Sequence, residues 1–135
     1  MACIRRSRLE AKGDILLLDT IGELSAVFQY ATVVFMGGSL VPTGGHNVLE
    51  PARHRKPIVF GPHMENFRDM SRLFLEANAA RQIQTPEQLA PAIAELLSNP
   101  GLASELGRNA FGIVQQNAGA TDRVLQILEP AGAGR

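Results

Sequence analysis

Residues 37–46 read GGSLVPTGGH, and this glycine-rich segment joins an apolar run to a helix-like segment. The preceding residues 32–36 are rich in valine and phenylalanine, which is typical of a buried strand. Glycine lets the backbone approach a ligand closely, and the amides at the start of a helix favour an anion. The segment therefore predicts a strand, a ligand-binding loop and a helix in that order, with phosphate as the expected ligand.

The same alternation extends along the rest of the chain. Short apolar runs predict strands at residues 15–18, 32–36, 57–60 and 80–84. Helical spacing predicts helices at residues 24–31, 47–54, 67–77, 86–98 (capped by Thr85), 100–117 and 121–128. Because a parallel crossover needs a connection of helix length, this order predicts an α/β fold, a parallel sheet with flanking helices.

Composition limits the partners of the chain. Its 135 residues, 45% of them hydrophobic, suffice for one domain with a core. Thirteen basic and thirteen acidic residues give a formal net charge of zero, so no overall field recruits nucleic acid or acidic lipid. The single cysteine, Cys3, fits a reducing compartment. No apolar run approaches the about 20 residues that span a bilayer, so we expect a soluble, cytoplasmic chain.

Three loops mark the expected binding edge. Residues 19–23, 37–47 and 61–66 each follow a predicted strand. In open parallel sheets, ligands bind outside the carboxyl ends of the strands, where these loops meet. The glycine-rich loop has neither the Lys-Ser/Thr pair of a Walker loop nor the G-x-G-x-x-G spacing of a dinucleotide fingerprint. The sequence therefore predicts an anion site of another type.

Three motifs at this edge resemble a known family. DTIGEL (residues 19–24), GGSLVPTGGHNVLEPA (37–52) and KPIVFGPHMENF (56–67) closely match the C-terminal part of the 3-deoxy-D-manno-octulosonic acid (Kdo) transferases. These are GT-B glycosyltransferases that move Kdo from CMP-Kdo to a lipid A precursor in lipopolysaccharide biosynthesis. The resemblance runs from about Asp14 to the last helix. It implies a partial Rossmann-like nucleotide-binding domain of the GT-B type.

The resemblance implies that this edge binds the donor, CMP-Kdo. Ser39 and residues 44–47 would line its phosphate and sugar carboxylate, and the loop at residues 22–24 would lie beside the nucleotide. Glu50 would accept hydrogen bonds from the ribose hydroxyls, a role that suits an ionised acceptor. The full set of expected donor-binding residues is Gly22, Glu23, Gly38, Ser39, Gly44, Gly45, His46, Asn47, Glu50, Gly61 and His63.

Structural alternatives stay open for several of these residues. The glycine pairs also suit simple turns. Asn47 and Glu50 have the spacing of a capping box, although a helix that starts at Glu50 or Pro51 fits the proline better. Glu23 suits either the start of a helix, through the helix dipole, or the nucleotide.

No catalytic or cofactor-binding residue is expected. His46 and His63 have no carboxylate partner at a recognisable motif distance, so we interpret them as ligand-contacting or structural. No His, Cys, Asp and Glu cluster has the spacing of a metal site, and we expect neither a metal nor a cofactor. The first 12 residues contain four basic residues that suit either a phosphate-binding patch or a solvated remnant; they are Arg5, Arg6, Arg8 and Lys12.

The expected organisation is a basic, disordered leader (residues 1–13), a partial C-terminal GT-B domain (14–129) and a flexible tail (130–135). The resemblance implies that an N-terminal domain outside this chain binds the lipid A precursor and supplies the general base, on the cytoplasmic face of the bacterial inner membrane. The first strands of the nucleotide-binding domain also lack a counterpart here. In the strand order 3-2-1-4-5-6, residues 15–18 would then pair with residues 32–36 or leave an open edge.

We therefore expect the CMP-Kdo-binding part of a Kdo transferase, inactive alone. Two alternatives remain open at this point. One is a domain like that of a nucleotide-sugar 2-epimerase, which would prefer UDP. The other is a truncated fragment that binds nothing well.

Overall fold

The computed structural model describes residues 1–8 and 12–132, with side chains described as far as residue 118. The strands are β1 (Cys3–Arg5), β2 (Ile15–Leu17), β3 (Val34–Phe35), β4 (Ile58–Phe60) and β5 (Arg81–Gln82). The helices are α1 (Leu24–Val27), α2 (Leu49–Ala52), α3 (Arg68–Glu76), α4 (Leu89–Ser98) and α5 (Pro100–Gly132). All strand pairs are parallel, which confirms the predicted α/β class.

The main sheet has the order β3-β4-β5. Val34 lies opposite Ile58, and Phe35 lies opposite Val59. The central strand is fully buried, because Ile58, Val59 and Phe60 all have an exposed fraction of 0%. Burial on both faces is the expected state of a parallel strand that lies between two layers of helices.

Two apolar clusters form these layers. Alternate residues of a strand point to opposite faces, so Ile58 and Phe60 enter one cluster and Val59 the other. The first cluster also contains Val48, Ala52, Phe74 and Ala110. The second cluster also contains Ile83, Ala92, Leu96 and Leu106. The sheet is therefore sandwiched between helices, as the alternating sequence pattern predicted.

The first two strands form a separate parallel pair, with Cys3 opposite Ile15 and Arg5 opposite Leu17. The alternative that residues 15–18 pair with residues 32–36 is wrong, whereas the open edge is present, because β2 has no described strand on its other side. The leader, which was expected to be disordered, provides the neighbouring strand. Such a short strand, with one isoleucine beside an arginine, has no measurable periodicity. A polar contact beside the strand pair supports this pairing. The Ala2 N–H donates a hydrogen bond to an Asp14 carboxylate oxygen at 2.8 Å.

The side chains of β2 remain half exposed. The exposed fractions of Ile15, Leu16 and Leu17 are 44%, 48% and 47%. Successive residues point to opposite faces, so the described residues cover neither face of this strand completely. Parallel strands are normally covered on both faces, which makes β1 and β2 an incompletely packed part of the fold.

The closing helix differs from the prediction. Helix α5 runs without interruption from Pro100 to Gly132, so the prediction of two helices at 100–117 and 121–128 is wrong. A glycine inside a helix costs only about 1 kcal/mol, and Gly119 does not end this one. Residues 130–132 of the expected tail belong to the helix, and residues 133–135 lie outside the described part. Among the described residues, no helix is both long and apolar enough to cross a membrane.

Candidate functional site

A pocket of about 440 Å³ lies beside β3 and its carboxyl end. This volume is within the range of small-molecule sites, about 300 to 1,000 Å³. Strand β3, helix α1 and the start of α2 contribute to its walls. The lining residues are Leu24, Phe28, Val34, Phe35, Met36, Gly37, His46, Asn47, Glu50 and Phe67.

Of the residues expected to bind the donor, only His46, Asn47 and Glu50 line this pocket. The apolar contribution of Phe28 was missed by the sequence reasoning. Phe28 follows Leu24 at the i, i+4 spacing of one helix face, and this signal could have identified it. The pocket therefore combines an apolar wall with a small polar group, as ligand sites commonly do.

The glycine-rich loop is closed by its own backbone. Gly38, Gly44 and Gly45 have φ angles of 74°, 90° and 73°, which favour glycine over every other residue. The Gly38 carbonyl accepts hydrogen bonds from the Gly45 N–H at 3.0 Å and from the Thr43 hydroxyl at 2.7 Å. The Asn66 N–H donates to the Gly44 carbonyl at 3.2 Å, which ties the loop after β4 to this loop. These glycines shape the site, and the Gly45 amide already has an acceptor within the loop.

The amides at the start of α2 are available for a ligand. Among the described residues, nothing accepts a hydrogen bond from the backbone N–H of His46 or Asn47. The Asn47 side-chain oxygen accepts a bond from the Leu49 N–H at 3.0 Å, at the first residue of the helix. Two neighbouring backbone donors therefore remain unused at the edge of the pocket.

Glu50 supplies the acidic group of the pocket. The helix begins at Leu49, one residue before the expected Glu50 or Pro51. Pro51 falls in the first turn, where its missing N–H forfeits no helical hydrogen bond. No described residue donates a hydrogen bond to the half-buried Glu50 carboxylate, so the capping box with Asn47 is not formed. Glu50 is thus an unused acceptor that lines the pocket.

Ser39 lies beneath the loop, fully buried, with an exposed fraction of 0%. Its hydroxyl donates to the Met36 carbonyl and accepts a bond from the Gly61 N–H at 2.8 Å. Its carbonyl accepts a bond from the His63 N–H at 2.9 Å. The sequence predicted that Ser39 and Gly61 contact the donor. The structure places both between the loops that follow β3 and β4, and their contact with the donor stays a prediction.

His63 has a carboxylate partner after all. Its Nδ1 atom lies 3.0 Å from a Glu65 carboxylate oxygen, a contact that no sequence motif indicated. The two residues are too close in sequence to form a recognised catalytic spacing. The hydrogen bond from His63, followed by that from the Glu65 amide, holds the pKa of the Glu65 carboxyl below its ordinary value. Neither side chain lines the pocket.

The loop after β2 meets the pocket through helix α1. Gly22 has a φ angle of 88°, and Leu24, the first residue of α1, lines the pocket. Glu23 does not line it. Its carboxylate instead accepts a hydrogen bond from the Thr20 hydroxyl at 2.6 Å and pairs with Arg6, whose Nε atom lies 3.2 Å away. Arg6 therefore forms an ion pair within the chain. The sequence had suggested either a phosphate-binding role or a solvated side chain for it, and neither expectation included this pair.

Comparisons with known proteins agree with the motifs. No family model matches the chain. A 3-deoxy-D-manno-octulosonic acid transferase of Haemophilus influenzae is 34% identical over 131 residues, covering 94% of this chain and 31% of the relative. One of Rickettsia typhi is 38% identical over 119 residues, covering 87% of this chain and 26% of the relative. The crystal structure of the C-terminal CMP-Kdo binding domain of WaaA from Acinetobacter baumannii matches with a TM-score of 0.77 and 33% identity, covering 84% of this chain and 61% of that chain.

The chain thus has the fold of a GT-B glycosyltransferase domain, of the partial, nucleotide-binding type. More narrowly, it is similar to the C-terminal CMP-Kdo binding domain of the Kdo transferases, which confirms the resemblance seen in the three motifs. It spans about a quarter to a third of the length of these curated relatives. A match over 94% of the chain extends beyond residues 14–135, so part of the leader belongs to the matched region.

Proposed function

We propose that this chain binds CMP-Kdo in the pocket beside β3. The observation that carries the proposal is the Glu50 carboxylate, an unused acceptor in a pocket of about 440 Å³ that also holds His46 and Asn47. The similarity to a structure described as a CMP-Kdo binding domain supports this choice of ligand.

Each part of the pocket suits one part of the donor. The Glu50 carboxylate accepts hydrogen bonds from the two ribose hydroxyls, because an ionised carboxylate has acceptor positions for both. The free amides of His46 and Asn47 donate to the phosphate, which becomes more negative as CMP leaves. Phe28 and Phe67 provide apolar surface for the base, since every base has a face that stacks on aromatic rings.

In the whole protein, we assign this chain the donor half of glycosyl transfer. A hydroxyl of the lipid A precursor attacks the anomeric carbon of Kdo while CMP leaves, with inversion at that carbon. The residues described here hold the leaving group, and another part of the protein supplies the acceptor site and the base. From the resemblance, we propose that this reaction takes place at the cytoplasmic face of the bacterial inner membrane.

Calorimetric titration with CMP, UMP and AMP tests the choice of ligand. We expect CMP to bind most tightly. Equal affinities would leave only a general nucleotide site, and a preference for uridine nucleotides would favour the 2-epimerase alternative. A folded chain that binds none of the three would contradict the proposal.

Substitution of Glu50 tests its role directly. Glu50→Gln retains the size but removes the charge, so we expect CMP affinity to fall by about 1 to 2 kcal/mol, or about 5- to 30-fold. Stability without ligand should barely change, because no described residue donates to this carboxylate. Glu105→Gln, an exposed residue of α5, is the matched control. Unaltered affinity together with a large loss of stability would show that Glu50 is structural.

A further inference from the structure

A polar network ties the leader to the loop that follows β2. The Ser7 hydroxyl donates to one carboxylate oxygen of Asp19 at 2.6 Å, and the Ser7 N–H donates to the other at 3.0 Å. These two bonds are the largest causes that hold the pKa of the Asp19 carboxyl below its ordinary value. Asp19 is thus kept ionised, with both oxygens directed to one residue of the leader.

A second contact holds the other end of the same loop. The Arg6 Nε atom lies 3.2 Å from one Glu23 oxygen, and an Arg6 Nη atom lies 3.3 Å from the other. This two-pronged arrangement fixes the direction of a carboxylate as well as its position. The Thr20 hydroxyl adds a bond to the same carboxylate at 2.6 Å. The neighbouring residues Arg6 and Ser7 therefore hold both ends of the segment from Asp19 to Glu23.

Among the described residues, little apolar packing anchors this segment. No residue from Asp19 to Glu23 is buried, and the Ile21 side chain is fully exposed. The positive φ of Gly22 lies in the turn just before α1. Since the packing contributes so little, the position of the segment depends on its polar contacts. The segment leads directly into Leu24, whose side chain lines the pocket.

We propose that Arg6 and Ser7 are positioning residues for the nucleotide site. They hold residues 19–23 in place, so that Leu24 at the start of α1 lines the pocket. Glu23 then acts through Arg6 and the loop, without contacting the donor. The identity of the ligand in this inference rests on the proposed function. The positioning of residues 19–23 can be measured without any ligand.

The first measurement is amide hydrogen exchange without ligand. We expect Ser7→Ala and Arg6→Gln to speed exchange at Val27 and Phe28 by about two- to fivefold, because exposed polar pairs contribute modestly. The N–H groups of these two residues donate to the carbonyls of Glu23 and Leu24, so their exchange reports on the junction between the loop and α1. Exchange in β4 should not change, which separates local release from unfolding. Arg8→Gln is the matched control, since it removes the same charge from the leader at a residue without a described ion pair. Ser7→Thr keeps the hydroxyl and should preserve slow exchange.

The second measurement is the CMP affinity of variants in which the charges of Arg6 and Glu23 are reversed, singly and together. Arg6→Glu and Glu23→Arg should each weaken CMP binding by about two- to fivefold, and the double variant should restore it. Restored slow exchange at Val27 and Phe28 with affinity still low would show that Glu23 contacts the donor, and would overturn its indirect role. Unchanged exchange in Ser7→Ala and Arg6→Gln would overturn the positioning of the loop. If the wild-type chain binds no CMP, the proposed function fails, and the exchange measurement still decides the positioning.

Discussion

Gly61→Ala is expected to lower the free energy of unfolding by about 3 kcal/mol, a large part of the 5 to 15 kcal/mol that is typical of a domain. A β-carbon at residue 61 would collide with the Ser39 carbonyl oxygen and lie 2.7 Å from the carbonyl carbon. The obstacle is backbone, and Ser39 is fully buried, so neither side can move away easily. Relief would require separation of the two loops that Ser39 joins.

Gly37→Ala is the matched control in the same loop region. Gly37 has no positive φ, and a β-carbon there would meet no atom within 4 Å. The substitution should therefore change stability slightly or raise it by about 0.4 to 1 kcal/mol, through the unfolded chain. Urea unfolding followed by circular dichroism measures both variants, since the chain has no tryptophan. Equal stability of the two alanine variants would show that the loops separate without cost.

Ser39 and Gly61 also show where motif reasoning reaches its limit. Both residues lie in segments that resemble the family motifs, and both were expected to face the donor. A motif identifies residues that matter at a site, but it does not distinguish a residue that touches the ligand from one that holds two loops together. That difference depends on contacts between residues 22 positions apart in the chain. Local spacing carries no information about such contacts.

The strands show the same division between local and distant information. Strand β4 was predictable because Ile58, Val59 and Phe60 form an apolar run bounded by Pro57 and Gly61, the pattern of a strand buried on both faces. Strand β1 was not predictable from its own residues. Its place depends on pairing with β2 and on the bonds of the leader to Asp19 and Glu23.

Glu50 was partly predictable from local sequence and partly not. The proline beside it showed that the capping box was unfavourable, and the structure leaves its carboxylate without a described donor. The start of the helix was displaced by only one residue, within the usual variation of helix boundaries. Its contact with the ribose stays a prediction, which Glu50→Gln tests.

The packing of β2 and the edge of β3 bear on how this chain associates with other parts of a protein. Val34 donates its N–H to the Pro57 carbonyl just before β4, and Met36 donates to the Val59 carbonyl within it. The N–H of the intervening Phe35 therefore points away from β4. An edge of this kind accepts another strand. The half-exposed side chains of β2 are a second part of the fold that the described residues leave incompletely covered.

We expect the chain alone to transfer no Kdo from CMP-Kdo to a lipid A precursor. Transfer requires an acceptor hydroxyl held in line and a base within hydrogen-bond reach of its proton. The titratable side chains that line the described pocket are His46 and Glu50, and we assign both to the donor. Since the chain spans 31% of the Haemophilus influenzae relative, the remaining portion of that relative is the natural complement.

The decisive assay incubates the purified chain with CMP-Kdo and lipid A precursor, with and without that remaining portion, expressed separately and cut where the match begins. Transfer should appear only in the mixture, because only the mixture supplies both the donor half and the acceptor half of the cleft. The same mixture made with Glu50→Gln should transfer more slowly, whereas Glu105→Gln should not differ from the wild type. Transfer by the chain alone would contradict the assignment of the base to another domain. A mixture that is inactive, although the chain binds CMP and the two parts associate, would contradict the assignment of the donor half to this chain.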